Sequence, residues 1–182
     1  MSGTKIITPK KFKEVFLSHA EKEKERIISL WREDKKFTEL MLGYNEGIVA
    51  KTAEALGQKY YREYWTIDAV YFKRKIQKYF SKLGTYAEYL SAAIEHENLF
   101  KTSHEEMNKL SMLNCPLKVL ITYPPQDEAP QLLKEYADIL SRADIFKDFT
   151  LKRKHLMVFR YLNRPEDSWS FFVYQNGDFT EV

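Results

Sequence analysis

Apolar residues recur at helical spacing near the start of the chain, where Phe12, Val15, Phe16, Ala20, Ile27, Ile28 and Trp31 follow Thr8-Pro9. A threonine hydroxyl caps a helix, and a proline at the first helical position gives up an N–H that would be unpaired anyway, so a helix starts at Pro9. The charged run KEKER interrupts the apolar positions, so this helix is expected to pack at its two ends. A second helical stretch covers about 37–56, with a break near Tyr44-Asn45-Glu46 between Gly43 and Gly47. Asn45 is expected to cap a shorter helix from Glu46 to Leu56, closed by Gly57 in the left-handed conformation.

From Lys59 the pattern changes. KYYREYWTIDAVYF is dense in aromatic and β-branched residues and predicts extended chain, as two strands with a tight bend. KRKIQKYFSKLG is basic and amphipathic. YLSAAIEHEN predicts a strand with a small-apolar start and an acidic end. Ser103 with Glu106 three positions on reads as a capping box opening a helix to about Leu113. PLKVLITYPP predicts a buried strand ended by two prolines. Pro130 opens a helix with Leu132, Leu133, Tyr136, Ile139 and Leu140 on one face. HLMVFRYLN and SWSFFVYQN predict a hairpin around Arg164-Pro165-Glu166-Asp167, and Asn176-Gly177 marks one more turn. Helices, strands, helix, strand, helix and strands in that order predict an α/β chain with one central mixed sheet.

Composition narrows the class. The 182 residues suit one domain. A hydrophobic content of 44% excludes a disordered chain, and 6 Gly with 6 Pro exclude a collagenous one. The lone Cys115 excludes an intramolecular disulfide or a cysteine-rich zinc site, and its place before a proline at a strand start suits a small apolar filler. No long apolar run or signal-peptide core is present, so the expectation is a soluble, cytoplasmic protein without a membrane partner. A net charge of +3 is too small to name a partner.

No glycine-rich phosphate loop, GxSxG or HExxH occurs. The informative stretches are TIDAVYF and AAIEHEN, where a carboxylate interrupts an otherwise apolar strand. Side chains alternate along a strand, so Glu95 and Glu97 project to one side. Ionised carboxylates near a core are costly unless they are paired or bind a cation, and two on one face push a pKa upward. Divalent hard cations such as Mg²⁺ or Mn²⁺ relieve both problems. Pairing by neighbouring Lys or Arg at a strand end does so too.

Asn45-Glu46-Gly47 at a helix start, Thr66-Ile67-Asp68 in one strand and Ile94-Glu95-His96-Glu97 in the next resemble the PD-(D/E)xK nuclease superfamily. The resemblance implies an αβββαβ, restriction-endonuclease-like core over 45–123. A helical extension over 1–44 and a C-terminal helix and strands over 124–182 complete a single domain. It implies Asp68 as the motif aspartate, Glu95 as the acidic member of the second motif, and His96 offering its backbone carbonyl to a metal. Glu46 matches an extra glutamate on the first helix. Glu97 stands where the family has lysine, and Lys109 on the following helix is positioned as a migrated lysine; its alternative is an i,i+4 pair with Glu105.

The activity implied is Mg²⁺- or Mn²⁺-dependent hydrolysis of phosphodiester bonds in DNA. Asp68, Glu95, and Glu46 or Glu97 would hold metal, Lys109 would position water or neutralise the phosphorane, and Glu97 could act as general base. Lys73, Arg74, Lys75 and Lys78 are the first candidates to contact the nucleic-acid backbone, with Lys152, Arg153 and Lys154 as a second cluster. Two other readings stand beside this one. One is a non-cleaving module on the same fold that binds nucleic acid or a protein; the other is an interaction protein whose helices over 9–56 form a homodimer interface.

Overall fold

The computed structural model describes residues 6–31, 33–73, 89–147, 149 and 152–182. Helix α1 (Pro9–Lys22) starts as its sequence requires, with the Thr8 hydroxyl accepting the Lys11 amide at 3.2 Å. The expected continuous helix breaks at Glu23, whose carboxylate is held by Arg26 at 2.8 Å and Lys51 at 3.3 Å, and a short α2 (Lys24–Ser29) follows. The KEKER stretch has no apolar face to carry a straight helix across this point. Helix α3 (Asp34–Leu42) and helix α4 (Ile48–Ala55) flank the glycine break. Gly47, two residues after the expected Asn45, is the N-cap of α4, so Glu46 lies in the preceding loop. Gly57 takes φ +66° as anticipated, and the Gly57 and Gln58 amides close the helix on the Glu54 and Ala53 carbonyls.

The sheet follows. Strands β1 (Lys59–Tyr64), β2 (Ile67–Phe72) and β3 (Leu90–Glu97) form an antiparallel meander. Helix α5 (Ser103–Ser111) crosses to β4 (Leu117–Thr122), parallel to β3, and α6 (Ala129–Ala143) crosses to β5 (Lys154–Phe159), parallel to β4. Strands β6 (Ser170–Gln175) and β7 (Asp178–Glu181) complete an antiparallel end. Strand order equals chain order across the seven-stranded mixed sheet. Asn176 and Gly177, at φ 55° and 91°, make the β6–β7 turn; the turn was expected, the strand after it was not. The basic segment KRKIQKYFSKLG lies outside the described residues, apart from Lys73.

Two apolar layers cover the sheet. Phe12, Phe16, Ile27, Phe37 and Ile48 pack against one face, meeting Ala69, Ile94, Val119 and Val158. The α5–α6 layer covers the other, where Met107, Leu110, Tyr136 and Leu140 meet Val70, Ala93, Leu120 and Met157. Helix α1 spans the sheet: Phe12 touches Tyr71 of β2 at a 6.3 Å centroid distance, and Phe16 touches Trp169 beside β6 at 5.1 Å. The N-terminal helices therefore spend their apolar face within the chain. The capping box at α5 does not form. Thr102 is the cap, but its hydroxyl donates back to the Leu99 carbonyl at 2.9 Å instead of capping the helix, while the Ser103 hydroxyl contacts the Phe100 carbonyl and the Tyr136 hydroxyl.

Gly47 has a packing reason to be glycine. A Cβ there would sit 2.6 Å from the Gly43 carbonyl oxygen and press on the Gly43 nitrogen as well. Both neighbours are backbone and cannot swing aside. Gly47→Ala should therefore cost about 1–3 kcal/mol in a urea unfolding titration; an unchanged midpoint would show that the α3–α4 corner relaxes freely.

Candidate active site at the end of strands β2 and β3

The β2–β3 register pairs Ala69 with Ile94, so continuing it sets Asp68 opposite Glu95. At this last step side chains take over the hydrogen bonding. The Asp68 amide donates to Glu95 Oε2 at 3.1 Å, and the His96 amide donates to Asp68 Oδ2 at 2.8 Å. Each carboxylate thereby satisfies the other strand's backbone, which fixes both acids at the sheet end. Glu95 is only 1% exposed, and Asp68 is partly buried.

The parallel crossover places α5 over this pair. Lys109 Nζ lies 2.9 Å from Glu95 Oε1, donates to the Thr66 carbonyl at 2.9 Å, and forms an ion pair with Glu106 one turn back. Its partners are thus Glu95 and Glu106 rather than Glu105. The Lys109 ammonium is the ionic partner of both Glu95 Oε1 and Glu106 Oε2, and these buried oxygens have no other donor among the described residues. Glu97 projects to the same side as Glu95, and its carboxylate accepts the Leu99 amide at 2.7 Å.

The electrostatics follow from burying acids around one cation. Burial pushes Glu95 up to about 8, against the pull of Lys109 and with added repulsion from Asp68 and Glu106. Burial also raises Asp68, partly offset by the His96 amide and by Glu95. Glu97 is raised, again chiefly by burial. Burial opposes the charge on Lys109, but Glu106 and Glu95 outweigh it and hold the ammonium above its usual range.

Asp68, Glu95, Glu97 and Lys109 therefore come together at one sheet end. The His96 ring does not join them. It points to the opposite face, where Nε2 lies 2.7 Å from the Tyr123 hydroxyl and burial, helped by the charge of Arg62, lowers its pKa to about 3. Only its backbone reaches the acids. Glu46 also stands apart, 83% exposed and paired with Lys51 at 2.9 Å. Lys73 is exposed at the far end of β2, about 17 Å from Asp68 for five residues of strand. Arg74, Lys75 and Lys78 lie outside the described residues. Cys115 is buried, as a filler would be, and burial lifts its thiol to about 11.

Sequence reasoning gave Glu106 a capping role and missed its place beside Lys109; the i,i+3 spacing of the two was the available signal. It also missed a groove of about 530 Å³ lined by Asp34, Lys35, Lys36, Thr38, Glu39 and Arg62. This groove adjoins the same sheet end, where the Asn98 side-chain Nδ2 donates to the Thr38 hydroxyl at 3.0 Å. Among the described residues, no group of three or more His, Cys, Asp or Glu side chains is arranged to hold a metal ion. No helix among them is long and apolar enough to cross a membrane. No protein-family model matches the chain, and no curated protein matches it.

A carboxyl whose folded pKa is raised contributes stability below its unfolded pKa and loses it as pH rises through the folded value. For Glu95 that window runs from 4.5 to about 8. Glu95→Gln should therefore gain in Tm over the parent as pH rises through this window without divalent ions. A Tm difference independent of pH would show that Glu95 does not titrate there.

Proposed function

We propose that the chain is a nuclease that hydrolyses phosphodiester bonds in DNA with the aid of Mg²⁺ or Mn²⁺, built on a restriction-endonuclease-like core. One observation carries the reading: Lys109, from the crossover helix, meets Glu95 beside Asp68. A lysine migrated from position 97 would have to stand there. The succession of α4, the β1–β2–β3 meander, α5 and a β4 parallel to β3 supports the αβββαβ core.

Asp68 and Glu95 are the residues that would hold the ion. Mg²⁺ is commonly bound by one or two carboxylates, completed by water and substrate phosphate, so a pair of acids is a suitable donor set without a three-residue cage. The buried Glu95 Oε1, which already faces one cation in Lys109 at 2.9 Å and has no other donor among the described residues, is an oxygen such a site could use. When bound, the ion supplies a water of lowered pKa and offsets charge developing on the phosphate. Lys109 orients the attacking water and offsets charge on the phosphoryl oxygens. Glu97, its pKa raised by burial, accepts the proton from that water. His96 contributes through its main chain, which holds Asp68.

With Mg²⁺ and plasmid, single-stranded DNA or RNA as substrates, Asp68→Ala and Glu95→Ala should each lose roughly 100-fold or more in cleavage rate. Full activity in either variant would overturn the site. Lys109→Ala should lower turnover more than DNA affinity; an unchanged rate would return Lys109 to a structural role. DNA binding without cleavage by the unaltered protein would favour the non-catalytic module, a reading supported by glutamate at position 97.

A further inference from the structure

The β1–β2 hairpin ends in a two-residue tip, Trp65-Thr66, between the paired Tyr64 and Ile67. Trp65 is 89% exposed, in the left-handed region at φ 59°. That conformation is costly for a bulky side chain, and the ring joins neither apolar layer, so stability does not account for it. Tyr64 stacks with it at 5.8 Å with planes 5° apart, and Tyr61 abuts Tyr64 edge-on at 6.0 Å. The indole is thus braced from behind, with its other face open. The next residue, Thr66, gives its carbonyl to Lys109 at 2.9 Å, so this platform stands one residue from where the site's lysine meets the hairpin.

We propose that Trp65 is a stacking platform for an unpaired nucleobase next to the phosphate that a divalent ion would hold at Asp68 and Glu95. The inference rests on the nuclease reading and adds the substrate class, a single-stranded or frayed strand. An aromatic plane stacks on any base without reading its edge. It reaches a base only where no neighbouring base already covers that face, which excludes the interior of a continuous duplex. The adjoining cation Lys109 suits the phosphate of the same nucleotide, so base and backbone would be held by one hairpin and one helix.

The test measures binding of a labelled oligothymidylate and of a duplex closed by loops at both ends, in Ca²⁺ without Mg²⁺. Trp65→Ala should bind the oligothymidylate about tenfold more weakly, leave the closed duplex unchanged, and recover when the residue is Phe. The residue is exposed, so both variants should fold, which circular dichroism checks. Equal oligothymidylate binding by Trp65→Ala and the parent would overturn the platform while leaving the nuclease reading standing. Equal loss on both ligands would overturn the preference for unpaired bases. No binding and no cleavage by the unaltered protein on any substrate would overturn both readings together.

Discussion

The exchange between Asp68 and Glu95 is the constraint on which the rest of the site depends. Each carboxylate accepts the backbone N–H of the other's strand region, so neither can move without leaving an amide unpaired. Side chains replace the ladder at its last rung and leave two acids anchored at the edge of an apolar sheet. A buried carboxylate in that position needs a cation, and the crossover helix supplies Lys109. The same crossover ties Lys109 to the Thr66 carbonyl and to Glu106, while burial at this sheet end raises the pKa of Glu97.

The fold delivers these parts by simple means. The meander sets β2 beside β3, and a parallel β4 obliges the chain to cross over the sheet, which lays α5 above the acids. On the other face, under the layer of α1 to α4, His96 meets Tyr123, and there the polar atoms are enclosed by Phe37 and Trp31. The two faces of β3 thus have opposite characters within three consecutive residues. Glu95 and Glu97 face charge, while His96 between them faces an aromatic wall.

Much of this was legible in the residues. Thr8-Pro9, Gly57, the twin prolines after β4 and Asn176-Gly177 mark backbone requirements that few other residues meet, and each appears where its chemistry called for it. Asp68, Glu95 and Lys109 were legible because a carboxylate inside an apolar strand, or a lysine after one, is conspicuous. What failed depended on competition between partners. Ser103 and Glu106 have the spacing of a capping box, but Tyr136 and Lys109 claim them. Asn45 is a good cap in isolation, yet the close approach of Gly47 to Gly43 decides where α4 starts. Lys73 is near Asp68 in sequence but lies at the other end of a strand, because extended chain separates neighbours fastest. The Lys35–Arg62 groove joins residues far apart in sequence, and no local pattern announces it.

Strand order that equals chain order has a consequence for how the molecule assembles. Each strand pairs with the one made just before it, so the sheet can grow by addition at one edge without waiting for distant segments. Helix α1 is the exception. Its Phe16 rests on Trp169 and Phe171, so this helix, which precedes every strand of the sheet, completes its contacts only when β6 has joined. Until then its apolar face has no full cover, and this closure joins regions about 150 residues apart, a loop whose entropy cost grows only slowly with its length.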